Sequence, residues 1–128
     1  MSPVGRRTVL AGPLAAALLG AAPAPAPRPR YGSIGRIRAT AGKRDALVAL
    51  LLEASGAMPG CLSYVVAEDL TDPDAIWVTE VWDAKASHEA SLSIPAVRAA
   101  IARARPLIAG FDTMAETRPV GGVGLPRG

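Results

Sequence analysis

Residues 75–92 read A-I-W-V-T-E-V-W-D-A-K-A-S-H-E-A-S-L, and the fold of the chain turns on this stretch. Ile76, Trp77, Val78, Thr79, Val81 and Trp82 are β-branched or aromatic, side chains that pack well on a pleated, half-buried surface. A strand is therefore expected over 76–82. Its side chains alternate, placing Ile76, Val78, Glu80 and Trp82 on one face and Trp77, Thr79 and Val81 on the other. Asp83 ends the strand and is expected to cap a helix over Ala84 to Leu92. The only histidine in the chain, His88, falls in the second turn of that helix. Both tryptophans and the imidazole thus share one short run, and a site is expected here.

Working upstream, Cys61 to Asp69 alternates as a second strand, with Leu62, Tyr64, Val66 and Glu68 on one side. Thr71-Asp72-Pro73-Asp74 is a turn with proline pre-set for its second position, so the two strands form a hairpin. Cys61 has no basic residue or second cysteine nearby in sequence, which suits a small buried hydrophobe better than a nucleophile. A helix is predicted over Lys43 to Ala57 from the spacing of Leu47, Leu50, Leu51 and Ala54, ended by Gly56 and Pro59-Gly60. Tyr31 to Thr40 is the first strand, with Arg36 and Arg38 on the face of Ile34.

Downstream, Ile94-Pro95 opens a further helix with Val97, Ala100, Ile101, Ala104 and Ile108 as its apolar stripe. Arg98, Arg103 and Arg105 lie off the stripe as a solvated face. Pro106 is expected to kink or end the helix, and Gly110 to lead into a last strand over Phe111 to Thr117. The order is β-α-β-β-α-β with the second helical region split. This is an α+β, ferredoxin-like antiparallel sheet with helices on one face. The other face carries apolar residues that need cover.

The flanks differ in kind. Residues 1–22 pair Arg6 and Arg7 with the uncharged run T-V-L-A-G-P-L-A-A-A-L-L-G-A-A, the pattern of a twin-arginine export signal. That pattern predicts a periplasmic or extracellular protein. The run is short and alanine-rich, so no stable membrane insertion is expected after processing. Residues 23–30 alternate proline with Ala or Arg as an extended linker, 31–117 form the folded domain, and 118–128 are expected to be a disordered tail.

Composition removes several function classes. Twelve of the fourteen basic residues fall outside 1–22 and face eleven acidic ones, a balance that does not suit a nucleic-acid binder. One Cys excludes an internal disulfide, and one Cys with one His leaves no metal site readable from spacing. Glycine-rich phosphate loops, H-E-x-x-H and G-x-S-x-G are all absent. The remaining possibility is an apolar cavity with few polar groups, the usual form of a small-molecule site.

E-V-W-D-A-K-A-S-H, preceded by P-G-C-L-S-Y-V-V and followed by S-L-S-I-P-A-V-R-A-A-I, resembles the antibiotic biosynthesis monooxygenase family. The likeness is nearest to small bacterial members named as quinol monooxygenases, and it spans Gly32 to Glu116. The resemblance implies a homodimer of sheets closed into an α/β barrel. It also implies a cofactor-independent monooxygenase that oxidises a small dihydroxy-aromatic or quinol with O2. An electron-rich ring can itself pass electrons to O2 once deprotonated. The protein must then desolvate the ring, take a proton and hold the ring still.

His88 is the candidate base, since imidazole titrates near working pH. Trp82 is expected to pack on the substrate ring and Tyr64 to donate to an oxygen. Arg36 or Arg38 is expected to steady anionic charge, and Glu80 to share the Trp82 face. Two other readings compete. One is a non-catalytic binder of an aromatic or quinone. The other is haem binding or degradation, in which relatives of this fold use an Asn that this chain lacks altogether.

Overall fold

The structure, a computed structural model, describes residues 29–127. The segment read as a signal, and the linker before residue 29, lie outside the described residues. The elements are β1 (Tyr31–Ala39), α1 (Arg44–Ala54), β2 (Cys61–Glu68), β3 (Ala75–Trp82), α2 (Lys85–Ser91), α3 (Pro95–Ala104), a 3-10 turn (Arg105–Leu107) and β4 (Ile108–Thr117). The sheet order is β2-β3-β1-β4 with every neighbour antiparallel. This is the ferredoxin-like α+β arrangement expected from the element order.

Register fixes the two faces. β1 lies opposite β3 with Ile37 against Ile76, Gly35 against Val78 and Tyr31 against Trp82. In β2, Tyr64 lies opposite Glu80 and Val66 opposite Val78. One face thus gathers Ile37, Ala39, Ile76 and Val78, and Leu47 and Leu50 of α1 pack on it together with Ala104 of α3. Leu47, Ile76 and Trp82 are the largest side chains wholly removed from solvent. Burial of that kind contributes about 1.5–3 kcal/mol for each large aliphatic side chain. The opposite face has no helix on it among the described residues.

Three boundaries depart from the sequence reading. The helix after β3 starts at Lys85, with Ala84 as an extended cap residue, and Asp83 does not cap it. Asp83 lies just past the end of β3, where its N–H donates to the Gly60 carbonyl at 2.8 Å and its side chain accepts from the Ser87 hydroxyl. α1 stops at Ala54, short of the expected Ala57. β4 begins at Ile108, so Gly110 lies inside it, where the pairing with β1 slips twice. Pro106 sits in the 3-10 turn that ends α3, as its missing N–H requires.

Candidate functional site

Between the helices and the sheet lies a cavity of about 160 Å³. Its walls are Leu50, Leu51 and Ala54 of α1 and Val97, Ala100 and Ala104 of α3, with Tyr64 and Glu80 on its floor. His88 and Ser91 of α2 close one side. The lining is overwhelmingly apolar, with a few polar groups that fix orientation, as small-molecule sites are built.

The polar groups come from β2, β3 and the helix after β3. Glu80 and Trp82 are two residues apart on β3 and share a face, and the Trp82 Nε1–H donates to Glu80 Oε1 at 3.2 Å. Trp82 is buried, so its indole N–H needs that acceptor. α2 lays His88 across the end of the sheet, its ring 5.4 Å from Trp82 in an edge-on arrangement and 5.2 Å from Tyr31. Tyr31 in turn donates to Glu116 at 3.0 Å, and Lys85 pairs with Glu116 at 3.3 Å and lies over the Tyr31 ring. Burial, then the Glu116 hydrogen bond, raises the Tyr31 pKa.

Tyr64 is half-buried against the core, and its phenol is pushed up to about 12, first by burial and then by the nearby Glu80 charge. It is therefore a neutral hydrogen-bond donor at any ordinary pH. No protein group accepts from its hydroxyl among the described residues, and the second oxygen of Glu80 and the His88 ring nitrogens likewise have no hydrogen-bonding protein partner there. Unused donors and acceptors on an apolar wall are what a bound molecule would satisfy. Cys61 lies just outside, its thiol raised by burial, consistent with an unreactive side chain.

The structure brings Tyr64, Glu80 and His88 to the cavity and leaves Arg36 and Arg38 out. Trp82, wholly buried and in neither cavity lining, touches Glu80 and His88 from behind and does not present its ring to a ligand as expected. Both arginines alternate with Ile37 and so project from the helix-free face. There Arg36 pairs with Asp69 at 3.6 Å, with Asp72 at 3.1 Å and with Asp112, and Arg38 pairs with Asp72 at 2.7 Å and Asp112 at 2.8 Å. Trp77 lies under Arg36 and donates to Asp69 at 2.8 Å. Neither guanidinium reaches the cavity, so the expected anion-steadying role has no geometric basis. Sequence reasoning also passed over Tyr31. Its place beside His88 comes from the β1–β3 register, which single-strand patterns do not carry.

Among the described residues, no group of three or more His, Cys, Asp or Glu side chains could hold a metal ion. No described helix is long and apolar enough to cross a membrane.

A protein of Chloroflexus aurantiacus that carries the antibiotic biosynthesis monooxygenase name is 63% identical; the match covers 76% of this chain and 99% of that one, with a TM-score of 0.74. A protein of Deinococcus radiodurans with the same name is 28% identical over 73% of this chain and 95% of its own, at a TM-score of 0.60. PA3566 from Pseudomonas aeruginosa shares the fold at 19% identity, with 76% and 100% covered and a TM-score of 0.66. A search of curated proteins returned no match. The family model described as antibiotic biosynthesis monooxygenase matches residues 30–103, which hold β1 to all but the last residue of α3 and the cavity residues Tyr64, Glu80, His88 and Ser91, and the chain belongs to that family.

Proposed function

We propose that the chain is a monooxygenase that oxidises a small dihydroxy-aromatic or quinol with O2, the ring itself supplying the electrons. The observation that carries this reading is the apolar cavity in which the Tyr64 hydroxyl, the second oxygen of Glu80 and the His88 ring nitrogens face one space with no hydrogen-bonding protein partner among the described residues. An apolar void of about 150 Å³ is enough for benzene. A cavity of about 160 Å³ therefore suits a single ring and not a macrocycle, which counts against the haem alternative.

His88 takes the phenolic proton, Tyr64 donates to a ring oxygen, and the apolar walls exclude water from the reacting ring. A quinol with a free ring carbon plus O2 then balances to a hydroxyquinone plus water. One oxygen atom enters the ring, the other leaves as water, and the ring gives up four electrons. Oxygen uptake with a reduced benzoquinone, measured against a protein-free control, tests the activity. No uptake above control would leave the non-catalytic binder, and a His88→Ala variant with unchanged turnover would remove the base.

We also propose a homodimer. The helix-free face carries Ile34, Val65, Thr79 and Val81, and Val65 is 52% exposed, which supports cover by a second copy. Light scattering that returns the mass of one chain would overturn this. For Arg6-Arg7 we propose a twin-arginine signal directing export. Conversion of both to Lys should keep the protein in the cytoplasm, and export of that variant would refute the assignment.

A further inference from the structure

On the same sheet face, a second cavity of about 110 Å³ lies between Ser33 and Gly35 of β1 and Phe111 and Met114 of β4. It shares two lining residues with the first, Tyr64 and Glu80. The two cavities therefore meet at this pair. Among the described residues, neither lining has a Lys or an Arg, and Glu80 is the only carboxylate in either. Its Oε1 is taken by the Trp82 indole, while its other oxygen has no protein donor among the described residues.

We propose that Glu80 sets the charge class of the ligand: its open oxygen accepts a hydroxyl hydrogen bond from a neutral ring, and its charge rejects ring carboxylates. This rests on the reading of the cavity as the site for a hydroxylated aromatic. The physical basis is the absence of a permanent cation, since His88, which lines the same cavity, is read as the proton acceptor. A phenol hydroxyl offers the donor that a lone carboxylate needs, and a hydrogen bond to an ionised acceptor is among the stronger kinds. A ligand carboxylate finds no guanidinium or ammonium to pair with. At roughly 6 Å from Glu80 and an effective dielectric of about 20, the repulsion alone corresponds to about a hundredfold loss of affinity. The two arginines that might have compensated are spent on Asp69, Asp72 and Asp112 across the sheet.

The test is anaerobic titration calorimetry at pH 8 with hydroquinone, 2,5-dihydroxybenzoate and 2,5-dihydroxybenzamide. The acid and the amide have nearly the same shape and differ in charge. Hydroquinone and the amide are expected to bind at least tenfold more tightly than the acid. Glu80→Gln, which keeps an acceptor for the Trp82 indole, should bring acid and amide within threefold of each other. Equal binding of acid and amide to the native protein overturns the proposal, as does discrimination that survives Glu80→Gln or failure of both neutral compounds to bind. If Glu80→Gln does not fold, the native acid-to-amide ratio still decides. No turnover is read, so the two ideas fail separately. Ligands that bind in the expected order without oxygen uptake sink the oxygenase reading alone. Turnover with no charge preference sinks this one alone.

Discussion

Replacing Trp82 with Phe tests whether the buried indole holds Glu80 in place. The substitution keeps an aromatic ring in the core but deletes the N–H that reaches Glu80 Oε1 at 3.2 Å. A hydrogen bond to a charged group is worth about 1.5–3 kcal/mol. Loss of part of the edge-on contact with His88, whose ring lies 5.4 Å away, adds up to about 1 kcal/mol. The expected destabilisation is about 2–4 kcal/mol. In urea this lowers the midpoint by about 1–2 M with an unchanged slope. Far-ultraviolet dichroism should follow the transition, because the substitution removes one of the two tryptophans that report by fluorescence. Protomer concentration must be held fixed, since association would shift the midpoint by mass action.

The double variant with Glu80→Gln completes a cycle. Against the neutral Gln acceptor, Trp82→Phe should cost about 1 kcal/mol less than against Glu80. A midpoint shift below about 0.3 M, or costs that simply add, would show that the indole N–H is not what anchors the carboxylate.

Three further predictions concern the turns and the tyrosine. Asp69 and Asp72 are held below the usual carboxylate range, Asp69 first by the Asp72 backbone N–H and then by Trp77, Asp72 first by the Asp74 N–H and then by Arg38. Their stabilisation is therefore present above about pH 4 and lost as pH falls below it, and Asp69→Asn should flatten that acid limb in pH-dependent thermal melts. Tyr64, pushed up to about 12, keeps its proton when the unfolded chain has lost it, so stability should fall between about pH 10 and 12. Tyr64→Phe should remove that alkaline loss, and an unchanged profile would contradict the burial argument. Gly60→Ala places a Cβ 2.7 Å from Ser87 Cβ and Asp83 Oδ1 at φ +84, whereas Gly42→Ala, at φ +76, meets nothing within 4 Å. Both changes carry backbone strain of about 1–3 kcal/mol. Gly60→Ala should lower the melting temperature further, and equal shifts would show that the close approach to α2 does not matter.

The β2–β3 hairpin was readable because alternation and the Thr71–Asp74 turn agree, and α1 because Leu47 and Leu50 recur at helical spacing. The same patterns put Glu80 on the Trp82 face of β3 and Tyr64 on the Val66 face of β2, and Glu80 and Tyr64 form the cavity floor. They could not say which face the helices cover. Arg36 and Arg38 were assigned to the site for that reason, although their alternation with Ile37 was already visible. The helix start is displaced by one residue for a non-local reason: the carbonyl of Gly60 claims the Asp83 N–H, and Ala84 takes the cap position. Tyr31 and Gly110 were misjudged because strand register, and the slips that alter it, depend on the partner strand.

β1 lies between β3 and β4 and never touches β2, so the first strand of the domain is flanked by the third and the last. Until residues 108–117 leave the ribosome, one whole edge of that strand has no partner. A chain truncated before Ile108 would present an open, hydrogen-bond-hungry margin next to an apolar centre, the combination that seeds aggregation. Folding of this domain is thereby tied to the emergence of β4, and nascent chains halted before Ile108 should depend on chaperones far more than chains that carry it.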